Sequence, residues 1–217
     1  MSQLTTAMRD FWSVDTIERA MHERVTVPAN PAIWNDQVQA EILAGLLTGV
    51  TLHPGNIVLD YGCGIGRLTR PLLLRRAQVW ATDVSPTMLE YTQQHCAGLP
   101  GLKTLLCDGF GCAAAPSGAA CGAVSCYCFQ HMPSLEMVAA VIQDIYRILA
   151  PGGWFVIQST DHRLDHTTGE VGFTGTRQKL TTLLNISEQI GFLPLRVIYP
   201  LGQDEPPPYL MTLIKQH

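Results

Sequence analysis

Three aspartates occupy equivalent places in this sequence, each closing a short apolar run: Asp60 after Asn56 to Leu59, Asp83 after Gln78 to Thr82, and Asp108 after Leu102 to Cys107. Carboxylates at the ends of successive strands lie where an open parallel sheet binds its ligands. The first runs straight into Tyr61-Gly62-Cys63-Gly64-Ile65-Gly66. Glycine at every second position removes side chains, so a ligand can press against main chain. Asp83 follows Gly62 by 21 residues, a spacing that suits a carboxylate accepting from both hydroxyls of a ribose. The chemistry indicated is the gripping of a nucleoside.

The elements that must position these groups follow from periodicity. From His53 onward, apolar runs alternate with helical stretches: strands at 56–60, 78–82, 102–107, 122–128 and 154–159, helices at 67–76, 86–96 and 135–149. Ser85 and Ser134 are helix caps, and Pro86 sits at a first helical position, where its missing N–H costs nothing. Such alternation predicts a parallel sheet covered on both faces. The tail differs: 161–176 reads as a long polar loop, 177–190 as a helix ended by Gly191, and 195–199 with 209–214 as a closely joined, antiparallel pair. Residues 1–53 lack strand patterning and form a helical cap, with helices at 16–23 and 36–48, before a core at 54–217.

Two nucleoside-binding turns must be told apart. The dinucleotide fingerprint is G-x-G-x-x-G, laying a pyrophosphate on a helix N-terminus. Here Arg67 takes the third glycine's place, which disfavours a nicotinamide-dependent oxidoreductase. Val58-Leu59-Asp60-Tyr61-Gly62-Cys63-Gly64-Ile65-Gly66-Arg67-Leu68 instead resembles the first motif of class I S-adenosylmethionine-dependent methyltransferases, and Asp83 to Leu89 resembles their second, acid-bearing segment. Phe129-Gln130-His131-Met132-Pro133 and Leu149 to Trp154 are similar to the segments after strand four and before strand five. The resemblance covers about 56–160 in the family's order. It departs near the start of strand four, where Cys121 stands in place of a frequent acid.

The resemblance implies a three-layer, Rossmann-like α/β sandwich with a seven-stranded, mostly parallel sheet whose last strand is antiparallel. It implies S-adenosyl-L-methionine as cofactor. Asp60 with Gly62, Cys63, Gly64 and Gly66 would hold its methionine end, and Asp83 its ribose. Val84, Met88, Gly109 and Phe110 would line the adenine, and Asp108 would accept from the adenine amino group. Cys126 or Tyr127 would close the pocket beside the sulfonium. Each has a plainer reading: Asp60 as a cap of the turn, Asp83 as a solvated acid, Asp108-Gly109 as an ordinary turn, Met88 and Phe110 as core.

The methyl group of a sulfonium is already a strong electrophile, so catalysis rests on in-line placement and exclusion of water. An acceptor that must lose a proton needs a base, and His131 is the candidate by position, against a histidine merely bonded to loop backbone. Phe11, Trp12 and Trp34 could cover the site as a lid or simply pack. His162 and His166, beside Asp161 and Asp165, match no zinc spacing and read as solvated loop. Cys126 and Cys128 fall on one strand face, where thiols could take a soft metalloid, though buried cysteine is commonly a small apolar residue.

Bulk properties narrow the acceptor. The chain carries 14 Lys and Arg against 18 Asp and Glu, scattered, without the basic face that nucleic acid requires. No apolar run reaches the roughly 18–20 residues of a membrane span, and the polar N-terminus is unlike a secretory signal. Seven cysteines without framework spacing suit free thiols and a cytoplasmic location. The expectation is a methyltransferase acting on a small molecule; a non-catalytic cofactor binder would show the same motifs. Oligomeric state is not readable from sequence.

Overall fold

In the computed structural model, which describes residues 3–16, 20, 35–160, 165–168, 171–175, 179–198 and 208–216, the chain forms nine strands and six α-helices among those residues. The helices are α1 (Gln3–Trp12), α2 (Asp36–Leu46), α3 (Thr69–Leu74), α4 (Pro86–His95), α5 (Leu135–Ile148) and α6 (Leu180–Ile190). The strands are β1 (Ile57–Tyr61), β2 (Gln78–Asp83), β3 (Leu102–Leu106), β4 (Ala120–Cys126), β5 (Leu149–Ser159), β6 (Asp165–Thr168), β7 (Val171–Thr174), β8 (Phe192–Ile198) and β9 (Tyr209–Lys215). Seven of them make one sheet in the order β3-β2-β1-β4-β5-β9-β8. β1 to β5 pair in parallel, and β9 lies antiparallel between β5 and β8. The strand order reverses between β1 and β4, the place where such sheets open a ligand crevice.

Side-chain alternation along β1 sets the layers. Leu59 and Tyr61 join α5 and α6 residues (Met137, Val141, Ile142, Ile145, Leu183) on one face, while Val58 joins Leu43 of α2 and Leu72 of α3 on the other. Asp60, two residues from Val58, points toward the α3 face. Local signals fix the helix starts. Ser85 Oγ accepts from Met88 N at 3.2 Å, Ser134 Oγ from Met137 N at 3.1 Å, and Asn35 Oδ1 from Gln37 N at 2.8 Å. Gly191 ends α6 at φ 112°, a conformation open chiefly to glycine.

Three expectations change. Residues 165–168 and 171–174, expected within a loop, form an antiparallel hairpin. The α3 helix is shorter than 67–76, because the glycine turn occupies the preceding residues. Strand four runs from 120 to 126, so Cys128 has left it and does not share a strand face with Cys126. Within residues 1–53, α2 packs on the α3 side of the sheet, tied to α3 by Arg70 Nε donating to Asp36 Oδ1 at 2.9 Å, and α1 lies over the carboxyl ends of the strands. The helix expected at 16–23 and the position of Trp34 fall almost wholly outside the described residues.

Candidate active site

The first two strand-end acids are buried together with the glycine turn. Asp60 is 2% exposed, and its Oδ2 accepts from Thr69 Oγ1 at 2.6 Å, the first residue of α3. Asp83 is 8% exposed; Oδ2 accepts from Gly64 N at 3.0 Å and Oδ1 from Ser85 N at 2.9 Å. One carboxylate therefore lashes the turn after β1 to the turn after β2. Thr92 Oγ1 of α4 adds a second tie, donating to Gly64 O at 2.7 Å. Burial pushes both carboxyls up to about 6; for Asp60 the Thr69 hydrogen bond opposes the rise, and the neighbouring Asp83 charge adds to it. Each carboxylate oxygen has a second lone pair, so the pair can still receive donors or a cation.

The glycines clear room for the protein as well as for a ligand. At Gly62, φ +72°, a Cβ would stand 2.3 Å from Cys128 Sγ, and at Gly66 it would stand 3.1 Å from Thr92 Cγ2. Cys63 is buried with Ala81 and Leu89. On the adenine side of the resemblance, Met88 is buried with Val14, Ile65 and Tyr91, and Val84 and Phe110 are half-buried. Asp108 is exposed, and its Oδ1 accepts from Phe110 N at 2.9 Å and Gly111 N at 3.0 Å, closing its own turn. Gly109 stands apart from that turn's exterior: a Cβ there would meet Met8 Cε of α1 at 2.9 Å.

Beyond β4 the chain bends sharply. Tyr127 holds φ 55° and is 42% exposed, an uncommon conformation for an aromatic residue. The Arg67 guanidinium carbon lies 5.7 Å from its ring centroid. Cys126 Sγ donates to Gln158 Oε1 across to β5. His131 closes a short 3-10 turn, with its ring 5.0 Å from Trp12, edge-on, and its Nε2 3.4 Å from Gln130 Nε2.

The N-terminal segment roofs this edge. Met8 sits against Gly109, Trp12 against His131, Ser13 Oγ lies 3.0 Å from Ser85 Oγ, and Tyr91 Oη donates to Val14 O at 3.1 Å. Thr69, Thr92 and Ser13 were not singled out from sequence; isolated hydroxyl residues carry no pattern until the fold places them. No group of three or more His, Cys, Asp and Glu fit to hold a metal occurs among the described residues. Asp161 and His162 lie outside them, and Asp165 and His166 are described only as backbone of β6. A cavity of about 460 Å³ lined by Thr51, His53, Asn56, Cys121 and Trp154 opens at the opposite end of the sheet and takes no part in this site.

A doubly wound sheet with a glycine turn and paired acids at its crevice defines a nucleoside-binding α/β protein. Residues 58–153 match the family described as a methyltransferase domain. A 24-methylenesterol C-methyltransferase 2 of Arabidopsis thaliana is 32% identical over 110 residues, 49% of this chain and 30% of that protein. A ubiquinone biosynthesis O-methyltransferase of Paracidovorax citrulli is 29% identical over 158 residues, 70% of this chain and 57% of that protein. The chain thus spans less than two thirds of these curated relatives. The fold matches magnesium protoporphyrin IX methyltransferase of Synechocystis, solved with S-adenosylhomocysteine, at a TM-score of 0.72 and 18% identity, covering 98% of this chain and 99% of that one. Residues 58–153 thus match a methyltransferase domain, and the chain has the fold of S-adenosylmethionine-dependent methyltransferases.

Proposed function

We propose that this protein transfers a methyl group from S-adenosylmethionine to a small-molecule acceptor at the edge where β1, β2 and β4 end. One observation carries the reading: the Asp83 carboxylate accepts from the Gly64 N–H, joining the acid after β2 to the glycine turn after β1. Strand-end acid and glycine turn are thereby preset as one receptor. The donor set fits the cofactor. Two carboxyls whose burial disfavours their charge gain from a cationic, hydroxyl-bearing partner, and the glycine main chain lies beside them without side chains of its own.

The cofactor supplies the electrophilic methyl when bound. The residues of this chain bind and orient it. In this reading Asp83 accepts from ribose hydroxyls, and Asp60 with residues 62–66 holds the methionine end. Val84, Met88 and Phe110 flank the base, Asp108 and Gly109 mark its outer rim, and Cys126 and Tyr127 bound the side from which an acceptor approaches. Because Asp108 is engaged with its own turn, its part is to shape that rim through Phe110 and Gly111. The α1 roof excludes water, which strengthens every electrostatic contact beneath it. His131, under Trp12, is placed to take a proton from a neutral nucleophile.

Small-molecule acceptors are supported by the names of the relatives, a sterol and a quinone-pathway methyltransferase, and by the absence of a basic face. No helix among the described residues is long and apolar enough to cross a membrane. Calorimetric titration with S-adenosylmethionine, S-adenosylhomocysteine and NAD tests the binding. Incubation with a metabolite extract and methyl-labelled cofactor tests transfer. Binding without label transfer into any small molecule would turn the reading toward a non-catalytic cofactor binder; preference for NAD would overturn it.

A further inference from the structure

Resting on that reading, we propose that Arg67 and Tyr127 form a carboxylate-reading ledge at the mouth of the site, and that the methyl acceptor is a flat, conjugated molecule bearing an acid group. Four observations converge. Tyr127 is the exposed aromatic just after β4 and holds a left-handed backbone conformation. Arg67 lies over its ring at 5.7 Å and makes no ion pair among the described residues. It stands where the dinucleotide turn has glycine, and it is half-buried. Asp60 and Asp83 accept from Thr69, Gly64 and Ser85, and neither makes an ion pair with Arg67. A guanidinium held on a ring is planar and preorganised, keeps a fork of N–H donors, and pairs bidentately with carboxylates. The exposed ring face beside it accepts a stacked conjugated system.

A carboxylate can reach this cation from the acceptor or from the amino-acid end of the cofactor. The position of Tyr127, outside the β1–β2 receptor, favours the acceptor, and the test separates the two. Wild type, R67K, R67Q and Y127A are checked for folding by thermal melting. Each is then titrated with 2-naphthoate and its neutral counterpart 2-naphthamide, with and without S-adenosylhomocysteine. Each is also titrated with S-adenosylhomocysteine and with 5'-methylthioadenosine, which lacks the cofactor's carboxylate.

The expected result is at least tenfold preference of wild type for naphthoate over naphthamide. R67Q abolishes it, R67K retains part of it, and Y127A weakens both probes. Tenfold weaker S-adenosylhomocysteine in R67Q, with methylthioadenosine unchanged and no naphthoate preference in wild type, overturns the acceptor assignment and gives the cation to the cofactor. If Arg67 serves only as counter-charge to Asp60, R67Q moves the pH dependence of both nucleosides alike and leaves the acid–amide pair unaffected; that too overturns the proposal. Failure of wild type to bind either nucleoside would sink the methyltransferase reading instead, and the naphthoate arm without nucleoside would still decide this one.

Discussion

Asp83 does two jobs with one carboxylate, and its removal separates them. Asp83→Ala deletes the acceptor of Gly64 N–H and Ser85 N–H; hydrogen bonds to a charged group are worth roughly 1.5–3 kcal/mol each. Affinity for S-adenosylhomocysteine, measured by calorimetry, falls on the order of a hundredfold, since 2.7 kcal/mol is about two decades. In the wild type, affinity declines as pH drops below about 6, where Asp60 and Asp83 take up protons, and stays level above it. Gly62 makes a second residue-scale test. Valine there combines a left-handed backbone with a Cβ 2.3 Å from Cys128 Sγ, costing roughly 2–4 kcal/mol of stability in denaturant titration. Cys128→Ala in the same chain recovers part of it. The sequence marked Asp60, Asp83 and the glycines because their types and spacing are unusual. It did not mark Thr69 or Thr92, whose hydroxyls matter only once α3 and α4 are laid beside the turn.

Among elements, α1 is the one that couples covering to chemistry. It meets the strand ends through Met8, Trp12 and Ser13. A chain lacking residues 1–30 is expected to keep its sheet and lose turnover by tenfold or more, with full turnover counting against a lid. Trp12→Ala, which removes the ring packed edge-on against His131, should lower kcat more than it weakens nucleoside binding. Helix starts were legible from Ser85 and Ser134, whose caps the structure reproduces, and strand ends from the acids that close them. The β6–β7 hairpin was not. Its runs, Asp165–Thr168 and Val171–Thr174, are only four residues each, and the first is wholly polar. Its second strand lies against α1, a long-range partner that local pattern cannot announce. The extent of β4 was misjudged for a related reason: Ser125 to Cys128 looks continuous in polarity, but the backbone reverses at Tyr127.

At the scale of the whole molecule, the receptor is bought at the expense of stability. Asp60 and Asp83 have folded-state values near 6, above the ordinary 3.8. The folded chain therefore holds protons that the unfolded chain releases between about pH 4 and 6. The stability these groups contribute is complete below pH 4 and is lost as pH rises through 6. The ligand-free protein should show a higher Tm at pH 5 than at pH 7, apart from other titrations, and Asp60→Asn should flatten that difference. Saturating S-adenosylhomocysteine should raise Tm at pH 7 by mass action. The rest of the architecture is indifferent to this pair: β9 seated between β5 and β8, and Lys215 Nζ donating to Tyr146 O at 2.8 Å and Leu149 O at 2.7 Å, lock the far half of the sheet.

Under the proposed methyl transfer, the same two acids would give the catalytic cycle a direction. The methyl donor arrives with a positive sulfur and leaves as a neutral thioether, so the electrostatic attraction that loads the crevice vanishes with the transferred group. Loading should expel hydrogen ions into the buffer, visible as a heat that scales with the buffer's ionisation enthalpy, and unloading should draw them back. Spent nucleoside is then displaced by fresh donor most readily near neutral pH, and mild acidity slows the exchange.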